Sequence, residues 1–345
     1  MRRRAVALHT LRAPFCHGNL EKSFRKGNIC RRSLTAFNLY AQDKNMKILI
    51  TGATGLIGLK LARRLMSEGH SVVALSRSKE RGAALGLETF AWQPERETAP
   101  AEALEGVDVV VHLAGEHVAG DRWSDAQKKK ILDSRVRSTK NLIAGIEAMK
   151  IRPKAFVCAS AIGFYGDRGE EILTEETAAG DDFLSRVCVE WEAAAAGARP
   201  LGLRVTHVRI GIVLALESGA LQQMMPVFKL GLGGSLGDGK QWFPWIHVDD
   251  TVGIFHHAIT HDSVQGVINA VAPNPVTNAE FTSELASALH RPAFFFVPEF
   301  ALNLALGEMA GMLVSSYRAV PQVALATGYE FKFSILKSAL KDLIS

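Results

Sequence analysis

The chain has 345 residues, of which 48% are hydrophobic, 22% charged and 8% aromatic. That is globular composition with length for one large or two moderate cores, which excludes a disordered chain, a collagen-like repeat and a small disulfide scaffold. The net charge of +5 is uneven: residues 1–45 hold ten Lys/Arg and two acids, a net +8, whereas the other 300 residues hold 30 bases and 33 acids, a net −3. A mildly acidic body lacks the clustered cations that nucleic acid requires, so no nucleic-acid partner is expected.

Residues 1–45 contain no apolar run of secretory type. They are Arg-rich, acid-poor and contain some Ser, as organelle transit peptides are. The other reading is an extension ahead of a start at Met46, favoured because Met46 opens directly onto a strand. Placement is cytoplasmic on that reading and organellar on the first. Cys16, Cys30, Cys158 and Cys188 lie far apart with no CxxC pair, so neither a zinc site nor a secreted disulfide framework is expected.

Lys47–Thr51 is a short apolar run of the kind that forms a buried parallel strand. It feeds Gly52-Ala53-Thr54-Gly55-Leu56-Ile57-Gly58, then a helical stripe of Ile57, Leu61 and Leu65 that Gly69 ends. Ser71–Ser76 follows as a second strand. Strand, glycine turn, helix and strand in this order form a dinucleotide-binding unit. Gly52 permits the tight turn, Gly55 lets backbone amides approach a pyrophosphate, and Gly58 lets the helix pack on the sheet. The helix start, with Thr54, Leu56 and Ile57 about it, presents free amides and a positive dipole end to the phosphates. An acid at the tip of the second strand would accept ribose hydroxyls and favour NAD. Ser76-Arg77-Ser78 stands there instead, and the planar cation of Arg77 suits a 2′-phosphate, so NADP(H) is the expected cofactor.

The TGxxGxxG spacing resembles the extended (atypical) short-chain dehydrogenase/reductase superfamily. Further matches follow in order: Val107–Leu113 with Ala114-Gly115 resembles its fourth strand, Phe156–Ser160 with Ala161–Gly166 its fifth strand and loop, and Arg209-Ile210-Gly211 the end of its sixth. Trp245–Asp250 is similar to a late strand-to-helix signature of sugar-nucleotide epimerases. Leu113–Glu116, Val187-Cys188-x-x-Trp191-Glu192, Gly237-x-Gly239-x-Gln241 and Leu306–Met309 are similar to the SDR39U1-like subgroup of epimerase family proteins, with its C-terminal extension. The resemblance covers Met46 to the C-terminus. It implies that Trp92 and Gln93 end a third strand beside the adenine, that Leu113, Ala114 and Gly115 pass under the ribose and pyrophosphate, that Glu116 accepts a ribose hydroxyl, and that Arg122 reaches a phosphate.

Catalysis in that superfamily rests on Tyr-x-x-x-Lys, the tyrosine as acid/base and the lysine as its cationic neighbour. If Glu192 aligns with the usual glutamate of that helix, Leu184 stands for the tyrosine and Cys188 for the lysine, and neither can take the part. Ser160 and Tyr165 are the candidate substitutes, Ser160 by its place at the end of the fifth strand and Tyr165 in the adjoining loop. Cys188 reads as an apolar filler.

In the second half, Gly231–Gly239 reads as a mobile loop beside the aromatic wall Trp242, Phe243 and Trp245, or as a plain turn cluster. Asp250 is expected to help start a helix Thr251–Thr260 after His247. His257 and His261 have metal-ligand spacing but no third ligand, so no metal is expected. Pro292–Val314, interrupted by Glu299, Asn303 and Glu308, is too polar to cross a membrane and reads as a buried or groove-lining helix. Residues 280–344 read as a lobe over the substrate cleft or as a homodimer surface.

The expected fold is α/β: a Rossmann-type doubly wound parallel sheet with a smaller C-terminal substrate lobe. The leader is 1–45, the NADP-binding domain 46–215 with strand contributions from 240–270, and the lobe 216–345. The expected function is an NADP(H)-dependent oxidoreductase or epimerase-like enzyme acting on a carbonyl or alcohol substrate, a sugar-related one among the candidates, without the usual Tyr-x-x-x-Lys pair. Its rival is a non-catalytic NADP-binding scaffold or redox sensor with a protein partner.

Overall fold

In the computed structural model, residues 45–344 are described; the segment read as a transit peptide or an early extension, with Cys16 and Cys30, lies outside the described residues. Seven segments rich in aliphatic residues form one sheet: β1 Lys47–Thr51, β2 Ser71–Ser76, β3 Glu88–Ala91, β4 Val109–His112, β5 Ala155–Ala161, β6 Arg204–Ile210 and β7 Gly266–Ala270. Their spatial order is β7-β6-β5-β4-β1-β2-β3, and every pairing is parallel. The reason lies in their side chains. Ile48–Ile50, Val72–Leu75 and Val109–Val111 are buried throughout, and continuous apolar runs suit strands covered on both faces by helices.

The covering helices include α1 Leu56–Ser67, α2 Lys79–Ala83, α3 Asp125–Glu147, α4 Phe183–Ala196 and α5 Val248–Thr260. Strand order reverses between β1 and β4, so the connections leaving their carboxyl ends diverge and leave a crevice. Gly58 lets α1 start close to β1: a Cβ there would lie 2.3 Å from the Gly52 carbonyl oxygen and 2.8 Å from the Ala53 Cα. Both are backbone atoms and cannot swing aside. Gly58→Ala should therefore destabilise the fold by about 1–3 kcal/mol, as overpacking does. Thermal unfolding checks this, and a melting point equal to the parent's would contradict it.

A second apolar cluster joins Leu221, Met225, Phe228, Phe243 and Trp245 to Phe281 and Leu285 of α6 (Asn278–Ala288). It also takes Phe333, with Leu336 and Leu340 of the last helix. The chain between crosses back to the main core, where Ala324 is buried and Val323, Tyr329 and Phe331 pack. The described residues lie within one compact unit, Lys44–Ser345. Among them no helix is long and apolar enough to cross a membrane, and no group of His, Cys, Asp and Glu is arranged to hold a metal ion.

Three local expectations are corrected. The late helix begins at Val248, and His247 caps it, its Nδ1 accepting the Asp249 N–H at 3.0 Å. Asp250 lies inside the first turn with 1% exposure. Its carboxylate accepts the N–H groups of Lys332 and Phe333 at 2.8 Å and the Tyr329 hydroxyl at 3.0 Å, so it ties the C-terminal tail to α5 instead of capping it. Second, Gly231–Gly239 is not all loop: Gly234–Leu236 pairs in parallel with Phe295–Val297. Third, Pro292–Val314 is not one buried helix. It divides into that strand, a helix Glu299–Leu306, a 3₁₀ turn Gly307–Ala310 and a short helix Gly311–Val314. Phe294, Phe300 and Leu304 are 89%, 74% and 81% exposed. Gly307, in the left-handed region at φ 62°, breaks the helical run.

Candidate functional site

The crevice between β1 and β4 is a cleft of about 320 Å³. Gly52, at φ 71°, turns the chain so tightly that a Cβ would lie 3.0 Å from the Ala114 nitrogen. The Gly55 N–H closes the turn on the Gly52 carbonyl at 3.0 Å. Gly55 is the N-cap of α1, which has no side-chain cap and no acid in its first turn. The free amides and positive end of the helix are thus left for an anion.

The floor of the cleft is fixed by a buried chain of hydrogen bonds that the sequence did not reveal. Thr51 Oγ1 accepts the N–H groups of Leu113 and Ala114, each at 3.1 Å. Its own proton is thereby directed to His112 Nδ1 at 2.7 Å. His112 Nε2 faces Ser138 Oγ at 3.2 Å, and Ser138 donates to the Ser134 carbonyl at 2.5 Å. Burial, with the charge of Arg135, pushes the His112 imidazole down to about 3, so it stays neutral and has one N–H to give. The tips of β1 and β4 are therefore locked together.

Around this floor the structure gathers Gly52, Thr54, Gly55, Ser76, Arg77, Trp92, Leu113, Ala114, Gly115 and Glu116, all named from sequence. Trp92 is 2% exposed, its indole N–H held by the Glu97 carbonyl at 3.0 Å. Glu116 pairs with Lys130 at 2.5 Å. Leu75, Arg81, Pro94, Glu95 and Ser134 also line the cleft. Arg81 had a legible signal: Ser78 Oγ accepts the Arg81 N–H and caps α2, the helix that carries Arg81 on the cleft wall with Arg77. Neither arginine has a carboxylate within 4.0 Å among the described residues.

Four expected residues are not on the wall. Leu56 and Ile57 are half-buried, with Ile57 packed on the core. Gln93 is exposed and its N–H donates to Glu97 Oε1 at 2.5 Å. Arg122 donates to the Leu304 carbonyl at 3.2 Å and serves the contact between the 117–124 loop and the C-terminal extension. Lys128 and Glu308 form an ion pair beside it.

The structure places both catalytic candidates in hydrogen bonds with protein neighbours. Ser160 is 2% exposed and donates to Glu192 Oε1 at 2.7 Å. Side chains alternate along a strand, and the next residue, Ala161, is the partly exposed one. Tyr165 has no exposed surface; it donates to Asn269 Oδ1 at 2.8 Å and accepts from Arg209 Nη1 at 3.0 Å. Burial pushes its phenol above the ordinary value. Arg209 grips Glu192 with two bonds of 2.9 Å, Nε to Oε1 and Nη2 to Oε2, and stacks on Phe164 at 3.3 Å. Both hydroxyls thus belong to one buried network with Glu192 and Arg209. An arginine near the end of an apolar strand was the signal that an acid must meet it. On α4, Cys188 faces the Ala161 carbonyl at 3.7 Å, and burial pushes its thiol up to about 11. A cysteine so held is no nucleophile near neutrality. The spacing Tyr40 to Lys44 does match Tyr-x-x-x-Lys, but it lies outside the described residues and precedes β1.

Residues 48–270 match the NAD dependent epimerase/dehydratase family, and residues 297–343 match a domain of unknown function, DUF1731. An epimerase family protein SDR39U1 homolog, chloroplastic, of Arabidopsis thaliana is 38% identical over 88% of this chain and 88% of its own. Epimerase family protein YfhF of Bacillus subtilis is 38% identical over 87% of this chain and 98% of its own. The crystal structure of human epimerase family protein SDR39U1 with NADPH superposes with a TM-score of 0.79 at 36% identity, covering 87% of this chain and 99% of that one.

Proposed function

Because this chain belongs to the NAD dependent epimerase/dehydratase family, we propose that it is an NADP(H)-dependent oxidoreductase or epimerase-like enzyme for a small carbonyl or alcohol substrate. The observation that carries the cofactor is the pair Arg77, just after β2, and Arg81, in α2, both on the wall of the same cleft as the uncapped start of α1. Two cations without carboxylate partners suit a 2′-phosphate, and free helix amides suit a pyrophosphate. The similar human protein crystallised with NADPH supports the same choice. When bound, the nicotinamide supplies the hydride chemistry.

Gly52, Thr54, Gly55 and the amides of Leu56 and Ile57 hold the phosphates. Ser76 and Arg77 hold the 2′-phosphate, and Trp92 borders the adenine. Leu113, Ala114, Gly115 and Glu116 carry the ribose side. Arg122 and Gln93 act on neighbouring chain segments. Ser160 and Tyr165 act through the Glu192–Arg209 pair by holding the strand ends in place.

A second reading, a non-catalytic NADP-binding scaffold or redox sensor, is favoured by one observation: both candidate hydroxyls are already engaged, Ser160 with Glu192 and Tyr165 with Asn269. Incubation with NADPH and a carbonyl panel, followed by absorbance of the reduced ring, separates the two. Oxidation of NADPH by any member of the panel establishes the enzyme. Binding without turnover supports the scaffold, and absence of NADPH binding ends both.

A further inference from the structure

Helix α3 carries a cation for which no anion is provided. Arg135 reaches from α3 toward the ends of β4 and β5. Its Nη1 donates to the carbonyl oxygens of Glu116 and Ile131 at 3.0 and 3.1 Å. Its guanidinium carbon lies 5.1 Å from the centre of the Trp191 ring. The same carbon is 3.2 Å from the point where a Cβ on Gly115 would stand. Gly115 is on the cleft wall, so its missing side chain is what lets the guanidinium lie against the tip of β4.

No carboxylate lies within 4.0 Å of Arg135 among the described residues. Glu116 turns its carboxylate to Lys130, and Glu192 gives both oxygens to Arg209. The Nε and Nη2 groups of Arg135 have no protein acceptor, yet neither is sealed off as a buried unpartnered atom. A half-buried guanidinium whose Nε and Nη2 lack protein acceptors gains when a ligand brings oxygen atoms to them. Burial indeed lowers its proton affinity. On the facing helix, Cys188 occupies the position where the resemblance expects a lysine, and it feels the Arg135 charge, as does Cys158 of β5.

We propose that Arg135 is the fixed positive charge of this site: entering from α3 instead of α4, its guanidinium stands in for the absent lysine and donates its free N–H groups to oxygen atoms of the nicotinamide half of the dinucleotide. The proposal rests on the NADP(H) reading and deepens it. Arg135 is not a proton donor, since guanidinium stays charged at any working pH. It binds and orients.

The test uses the full chain, with calorimetry for two probes and thermal unfolding without ligand. The probes are NADPH and 2′,5′-ADP, which carries only the adenosine half. Arg135→Met keeps the aliphatic stem and removes the charge. It should bind NADPH at least about tenfold more weakly and 2′,5′-ADP as the parent does. Without ligand it should melt below the parent, because two hydrogen bonds to carbonyl oxygens and the stack on Trp191 go with the charge. A merely structural arginine gives that lower melting point with unchanged NADPH affinity, and that result overturns the proposal. Arg135→Lys keeps the charge but not the planar fork, and should bind NADPH with intermediate affinity. Equal losses for both probes would also refute the assignment to the nicotinamide half. A parent protein that binds neither probe would instead sink the cofactor reading itself.

Discussion

Replacing Arg209 by methionine should cost about 3–5 kcal/mol of folding stability. The side chains of Arg209 and Glu192 are only 3% and 11% exposed, and the two bonds of 2.9 Å between them match fork to carboxylate. Methionine fills much of the volume but leaves Glu192 charged and enclosed, with Ser160 as its remaining partner. The loss would reach further, because Arg209 Nη1 also supplies the Tyr165 hydroxyl, and Asn269 links that hydroxyl to the Val320 carbonyl of the tail at 3.1 Å. Denaturant unfolding measures the effect. The double variant Arg209→Met with Glu192→Leu should recover most of the loss, since removing both charges avoids the unpaired one. A single variant that loses under about 1 kcal/mol would mean that water reaches Glu192 and that the pair is not truly enclosed.

Arg77→Glu should weaken NADPH binding by about a hundredfold and leave NADH binding within about threefold. A hydrogen bond between an arginine and a phosphate is worth about 1.5–3 kcal/mol, and the introduced carboxylate adds repulsion against the same group. Arg77 is exposed, so salt screens part of this, and the ratio of the two affinities should shrink as ionic strength rises. Arg81 remains on the cleft wall and keeps some affinity for the 2′-phosphate. Calorimetric titration of both cofactors reads the ratio. If it is unchanged, the phosphate is held elsewhere, and Arg81→Glu becomes the informative variant.

How far the residues spoke for themselves differs along the chain. The first two strands, the glycine turn and α1 were readable because they are local. Lys47–Thr51 and Ser71–Ser76 have the same bounds in the structure as in the periodicity, and Gly52 and Gly58 stand where backbone approaches backbone. The wall residues that follow β4, 113 to 116, came from resemblance, not from spacing. Arg135 was missed because a surface helix rich in lysine and arginine gives no sign of which cation turns inward. Only the glycine opposite it, 115, decides that.

Ser160 and Tyr165 show the limit from the other side. Both have the chemistry a site needs, and a reading confined to residue type assigns them to it. Whether a hydroxyl meets substrate or a neighbouring side chain depends on strand parity and on what lies 32 or 104 residues away, Glu192 for Ser160 and Asn269 for Tyr165. The tail shows the same. Asp250 has the composition of a helix cap, but the amides of Lys332 and Phe333 claim it.

By itself, then, the order of residues determined the parallel sheet, the phosphate turn and a cation at the end of β2, because aliphatic runs, glycines and caps act over a few neighbouring positions. The tertiary structure alone decided which polar groups face the cleft and which are spent inside. Burying a charge or hydroxyl is tolerated only where a partner arrives from a distant segment, and no local pattern announces that arrival.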